Sequence, residues 1–235
     1  AIAVETETVI DAVFGPPLPP GVAATPAVRP APPVGATPVL ATVSGYVQLV
    51  AIDSLLVAAA GGHLVVVRGM GQFVAEGAPI AWWSGARAVD HRAVNAAFDL
   101  GPTRTMQDDV EWGFRQIVDV GLKAISPAVN DPSTGATCVD HLGRLLVRAA
   151  GRQTPLGRFE RGGAVVELPA PSFSNLVRLS YQQLRQYGRA DMAMLLRILR
   201  ALGDVAEVTT DPAGRGEILE QGRRAWQAGR LAFAD

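Results

Sequence analysis

The chain has 235 residues, 49% of them hydrophobic, and its 21 Lys and Arg residues nearly balance its 22 Asp and Glu residues. A charge this close to zero argues against a dedicated nucleic-acid-binding protein, whose surface is normally basic. The single cysteine, Cys138, excludes an internal disulfide and any metal site that needs several cysteines.

The N-terminal part of the sequence predicts a helix followed by a linker. Residues 1–14 place apolar side chains near helical spacing, and we expect a helix that leaves a membrane region not contained in this sequence. Residues 15–43 contain nine of the 17 prolines, and Arg29 is their only charged residue. Because prolines favour extended polyproline conformation, this stretch is predicted to be a proline-rich linker.

Residues 44–85 alternate short apolar runs with glycine turns, which is typical of a small β module. Asp53 is expected to cap a short helix that ends near Ala60. The predicted strands are 45–50, 63–68, 73–74 and 80–82.

Residues 86–235 carry apolar side chains mainly at three- and four-residue steps, which predicts a bundle of helices. One helix is predicted at 90–100, another begins at a capping box at 105–108, and a third ends at Tyr187 with that tyrosine facing inward. The remaining helices of this region are expected to start at Asp131, Asp191 and Asp211. The predicted fold class is therefore α+β: a small β barrel-sandwich-like module followed by an all-helical bundle.

Polar residues concentrate between positions 104 and 131, where they border a predicted apolar helix face. Asp108, Arg115 and Asp119 are seven and four residues apart and should share one side of a helix. Arginines, amides and a helix N-terminus could hold a carboxylate or phosphate, and a carboxylate pair could act as acid and base or hold a divalent cation. The candidate ligand-binding residues are Arg104, Gln107, Asp108, Arg115, Gln116, Asp119, Asn130 and Asp131.

A second polar cluster, residues 182–188, adds Arg185 and Tyr187 as candidates. Both clusters have two interpretations: they form polar contacts between helices, or they bind a small anionic ligand. Convergence of the two clusters in space would favour the ligand. The three histidines are widely spaced, and no phosphate-binding loop or nucleophile motif is present, so the sequence predicts no metal site, no cofactor and no particular reaction.

The β module has a resemblance of its own. Gly71-Gln-Phe-Val-Ala-Glu-Gly77-Ala-Pro-Ile80 resembles the turn and strand of lipoyl, biotinyl and related barrel-sandwich hybrid domains. The carrier members of that group need a lysine at a hairpin tip, whereas the only lysine of this chain is Lys123. The resemblance therefore implies a rigid adaptor or spacer without a bound lipoyl or biotin.

Five motifs are spread along the whole chain: Ser44-Gly-Tyr-Val-Gln48, Gly71-x-Phe-Val-x-Glu-Gly77, Arg104-Thr-x-Gln-Asp108, Ser126-Pro-x-x-Asn-Asp-Pro132 and Arg185-Gln-Tyr-Gly188. With these motifs the chain resembles a family of bacterial predicted membrane proteins, the domain of unknown function 2254. The resemblance implies an N-terminal transmembrane portion followed by a soluble part that this chain represents, and the family carries no assigned activity.

Two functional hypotheses follow. The first is a non-catalytic soluble domain of an integral membrane protein that mediates assembly, gating or ligand sensing. Its expected partners are the transmembrane region, the membrane and further copies of the chain, with the cytoplasmic side of the cell membrane favoured. The alternative is an enzyme, or an anion- or metal-binding domain, that uses the polar cluster between Arg104 and Asp131.

Overall fold

In the computed structural model, which describes residues 1–19 and 30–232, eight α-helices and eight β-strands surround two separate hydrophobic cores. This confirms the α+β fold class. In chain order the elements are α1 (Ile2–Val13), β1 (Thr37–Leu40), β2 (Gly45–Val50), α2 (Ile52–Ala58), β3 (His63–Val66), β4 (Phe73–Val74), β5 (Pro79–Ser84), α3 (His91–Ala96), β6 (Phe98–Gly101), α4 (Val110–Ala124), α5 (Pro132–Ala150), β7 (Arg158–Arg161), β8 (Ala164–Glu167), α6 (Phe173–Tyr187), α7 (Met192–Val208) and α8 (Pro212–Ala232).

The chain divides into a β unit and a helical unit. Within the described residues, the β unit takes 30–109 and 155–170, and the helical unit takes 1–19, 110–154 and 171–232. This division differs from the predicted boundaries, which ended the β module at residue 85. Sequence periodicity detects local elements, but it does not reveal that a later segment returns to complete an earlier sheet.

The β unit contains two sheets. One has the strand order β1-β5-β3-β8-β7 and the other has the order β4-β2-β6. Neighbouring strands are antiparallel except for β3 and β8, which pair in parallel. The core between these elements includes Leu55, Leu64, Ile80 and Val166, all fully buried. The resemblance to barrel-sandwich hybrid domains stays a prediction.

Two predicted segments of the β unit differ in the structure. Residues 90–100 were expected to form one helix, but α3 ends at Ala96 and the next residues form β6, which pairs with β2. Residues 37–40, inside the predicted linker, form β1. Pro38 is compatible with β1 because β1 is an edge strand, where a residue without an N–H need not break a hydrogen bond between strands. Residues 20–29 of that linker lie outside the described residues.

In the helical unit, α4 packs against α1, α5 and α6, α5 also packs against α7, and α8 packs against α6 and α7. The buried stripe predicted for α5 is confirmed, since Val139, Leu142, Leu145 and Leu146 are fully buried. Gly113 brings α4 close to α1, because a Cβ at this position would lie 2.3 Å from Thr6 Oγ1. Within the described residues, none of the helices has the length and apolar character needed to cross a membrane.

Candidate functional site

The first candidate, Arg104, forms a two-pronged ion pair with Asp109 in the β unit. Arg104 Nε and Nη2 donate to Asp109 Oδ2 and Oδ1 at 2.9 and 2.8 Å. The Asp109 side chain is only 4% exposed. Gly71 makes room for the carboxylate, because a Cβ there would lie 1.8 Å from Asp109 Oδ2. This geometry gives Arg104 a structural partner inside its own unit.

Gln107 and Asp108 follow in the same unit, and both are exposed. The helix expected to start at residues 105–108 begins later, at Val110. Asp108 has a φ of 53°, a left-handed conformation that does not fit a right-handed α-helix. The prediction that Asp108 shares a helix face with Arg115 and Asp119 is therefore wrong.

Polar side chains of α4 and α6 meet along a line that we call the α4–α6 seam, formed by Glu111, Arg115, Asp119, Asn175 and Gln183. Arg115 Nη1 donates to Gln183 Oε1, and Asn175 Nδ2 donates to Glu111 Oε1 at 2.6 Å. Arg115 Nη1 also lies 3.9 Å from Asp119 Oδ1. The earlier residue of α4, Glu111, contacts the earlier residue of α6, Asn175, and Arg115 contacts the later Gln183. The two helices therefore run in the same direction. The two polar clusters of the sequence thus converge at Arg115 and Gln183.

The seam is partly open to solvent. The side chains of Arg115 and Asp119 are 33% and 55% exposed, and Gln116 beside them is half-buried. An anion could reach Arg115 here, although its guanidinium already bonds the Gln183 amide. The arrangement therefore supports a polar contact between the two helices.

Asn130 and Asp131 form the turn that starts α5. The Asn130 N–H donates to the Ser126 carbonyl at 2.8 Å, and Asn130 has a left-handed φ of 50°. Asp131 caps the helix as predicted: its carboxylate accepts from the Thr134 hydroxyl and N–H and from the Ser133 hydroxyl. These bonds, the Thr134 hydroxyl first, lower the pKa of Asp131 to about 2. Both carboxylate oxygens of Asp131 therefore accept hydrogen bonds from the first turn of α5.

The second cluster separates onto different sides of α6. Gln183 faces α4, whereas the buried Arg185 faces α8, where its Nε donates to Gln221 Oε1 at 3.4 Å. Burial and, secondarily, the nearby Arg224 lower the pKa of Arg185. Tyr187 was predicted to face inward, but it is 73% exposed. It is the last residue of α6, beyond the buried Leu184, so helical periodicity alone misplaced it.

Comparison with known proteins agrees with the resemblance seen in the sequence. The sequence model of the family described as "Predicted membrane protein (DUF2254)" matches residues 4–204. The chain belongs to the DUF2254 family.

Relatives of this DUF2254 chain include uncharacterized proteins of Mycobacterium bovis and Mycobacterium tuberculosis. Each is 34% identical over 221 residues, which cover 88% of this chain and 42% of the relative. The chain therefore spans less than half of the length of these relatives. No solved structure matches it significantly.

Four residues of the DUF2254 chain that matter for these contacts were missed from the sequence, and one of them is Asn175, the partner of Glu111. Asp109 and Gln221 are the partners of Arg104 and Arg185, and Gly71 makes room for Asp109. The sequence indicated that Gly71 lies in a turn. Gly71 and Asp109 are 38 positions apart, so no local pattern predicted that they lie together. Within residues 1–19 and 30–232, no group of three His, Cys, Asp or Glu side chains is placed to hold a metal ion.

Proposed function

We propose that this chain is a non-catalytic domain of a membrane protein, and that it works through assembly or gating rather than through chemistry. Membership of the DUF2254 family supports the membrane context. The observation that carries the non-catalytic part is that three of the candidate polar residues bond to structural partners: Arg104 to Asp109, Arg115 to Gln183, and Asp131 to the first turn of α5.

The physical argument concerns where these polar atoms point. A catalytic acid, base or anion clamp must present its polar atoms to a substrate. Arg104 instead directs two N–H groups to a buried carboxylate, and Asp131 directs both oxygens to its helix. Polar groups satisfied in this way stabilise one arrangement of the backbone.

A second function, anion binding, is favoured by one observation. The two sequence clusters do meet at the α4–α6 seam, and Arg115 there is 33% exposed. A carboxylate or phosphate that displaced the Gln183 amide would replace a bond to a neutral oxygen with a bond between the Arg115 guanidinium and an anion. This function would make the seam a ligand sensor.

Thermal unfolding separates the two functions. The wild type and Arg115→Met are heated alone and with inorganic phosphate, citrate or MgCl₂, and Arg189→Met serves as the control because Arg189 is an exposed arginine of the same unit. If the seam is structural, Arg115→Met lowers Tm by about 3 °C, and no additive raises the wild-type Tm more than the variant Tm. Dose-dependent stabilisation of the wild type and of Arg189→Met, absent in Arg115→Met, would establish the sensor instead.

A further inference from the structure

A groove lies between α5 and α7 of the helical unit, and its volume of about 490 Å³ is typical of a small-molecule site. The small residues Gly143 and Ala201 line it, and a Cβ on Gly143 would lie 3.3 Å from Ala201 Cβ. The charged residues that line this α5–α7 groove are Asp140, Arg144, Arg197, Arg200 and Asp204. The groove therefore has the size of a ligand site and side chains of both charges.

Ion pairs already engage some of these charges. Arg197 Nε and Nη2 donate to the two carboxylate oxygens of Asp140, the first at 2.6 Å. Arg144 Nη2 lies 3.2 Å from an oxygen of Glu7 in α1. The two remaining side chains, Arg200 and Asp204, are exposed, and neither forms a hydrogen bond or ion pair with any residue that the structure describes. They are one helical turn apart on α7 and are available to a ligand.

A buried hydroxyl without a partner lies against the groove. Tyr181 of α6 is fully buried, and its hydroxyl accepts and donates no hydrogen bond among the described residues. A Cβ on Gly143 would lie 3.3 Å from this hydroxyl, so the hydroxyl adjoins a groove residue that has no side chain. Burial and, after it, the carboxylates of Asp140 and Asp204 raise the pKa of Tyr181, so the hydroxyl keeps its proton. A ligand atom that accepts this proton in a hydrogen bond would remove the cost of an unpaired buried group.

We propose that the α5–α7 groove binds a small zwitterion of the amino-acid class. The carboxylate of the ligand binds the Arg200 guanidinium and accepts the hydrogen bond of Tyr181, and its ammonium group binds the Asp204 carboxylate. A ligand with a single charge fits less well, because an anion is repelled by the two aspartates of the groove and a cation by its three arginines. The site is separate from the α4–α6 seam and does not rest on the proposed function.

The competing contact is an ion pair between Arg200 and Asp204 themselves, which are four positions apart. In that pair the basic residue precedes the acidic one, which is the less favourable order along a helix. It would also leave the Tyr181 hydroxyl without a partner, whereas a zwitterion satisfies all three groups.

Isothermal titration calorimetry of the full chain tests the site. The zwitterionic probes are glycine, L-alanine and L-valine, and the single-charge probes are propionate and ethylammonium, which are L-alanine without its ammonium group and without its carboxylate. All are compared at equal ionic strength. We expect binding of at least one zwitterion, with a Kd at least about tenfold lower than that of either single-charge probe, since each lacks one charge-assisted hydrogen bond.

Substitutions assign the binding to the groove. Arg200→Gln and Asp204→Asn should each raise the Kd about tenfold, and Tyr181→Phe, which keeps the buried ring, should raise it about fivefold. Arg189 and Glu76 are exposed and do not line the groove, so Arg189→Gln and Glu76→Gln serve as matched controls that bind as the wild type does. Circular dichroism confirms that each variant is folded.

Three results would overturn the inference. They are no binding of any of the three zwitterions, equal binding of a zwitterion and a single-charge probe, and zwitterion binding that Arg200→Gln and Asp204→Asn leave unchanged. Arg115→Met should bind the zwitterion as the wild type does, so failure here is distinguishable from failure of the proposed function.

Discussion

Replacement of Gly71 by alanine tests the buried ion pair of the β unit. Gly71 has a φ of +72°, and an added Cβ would lie 1.8 Å from Asp109 Oδ2 and 2.6 Å from Arg104 Nε. The methyl group would have to displace the Asp109 carboxylate from its place against Arg104. Gly77 offers a matched control, because its φ is +79° and an added Cβ would meet nothing within 4 Å.

The two substitutions share one cost and differ in another. A left-handed φ costs an alanine about 1 kcal/mol at either position. Separation of a largely buried arginine–carboxylate pair costs about 3 kcal/mol more, and this applies to Gly71→Ala alone. We therefore expect the free energy of unfolding to fall by about 4 kcal/mol for Gly71→Ala and by about 1 kcal/mol for Gly77→Ala.

Urea unfolding followed by tryptophan fluorescence measures the difference, since Trp82 and Trp83 lie in β5. Both variants and the wild type are compared in the same buffer near neutral pH. Equal losses for Gly71→Ala and Gly77→Ala would refute the reasoning, because the carboxylate would then not lie against Gly71.

Three further predictions concern single side chains of the helical unit. Tyr181 is fully buried and its hydroxyl has no partner among the described residues, so Tyr181→Phe should leave the free energy of unfolding unchanged or raise it by up to about 1 kcal/mol in urea. The pKa of Asp131 is about 2 instead of 3.8, so its contribution to stability is complete above pH 3.8 and is lost as the pH falls through about 2. Asp131→Asn, which keeps a capping side chain, should therefore lose less Tm on acidification than the wild type. Burial raises the pKa of the Cys138 thiol, so iodoacetamide should label it in urea and not in the native chain, as read by mass spectrometry.

Local sequence patterns predicted most of the helices and strands. The repeat of apolar residues gave α5 its buried stripe, and Asp131 followed by Pro132 marked its start. The β-branched run after His63 gave β3. Each of these signals depends on residues close together in the sequence, where helix and strand geometry fixes which side chains share a face.

Long-range pairing set the limit of prediction. The parallel pairing of β3 with β8 joins residues about one hundred positions apart, as between His63 and Val165. No local pattern encodes that contact. The same holds for Arg185 in the candidate site, because its partner Gln221 lies 36 positions away on another helix. Asp109 is only five positions from Arg104, and it was missed because a helix was expected to begin at residues 105–108.

The central claim is that the polar candidates hold the fold together, and a double-mutant cycle across the α4–α6 seam tests it most directly. The free energy of unfolding is measured for the wild type, Arg115→Met, Gln183→Met and the double variant. If the contact is structural, the two residues should be coupled by about 1 kcal/mol, the value for a partly exposed hydrogen bond to a charged group. Coupling near zero, together with phosphate stabilisation that requires Arg115, would contradict the account.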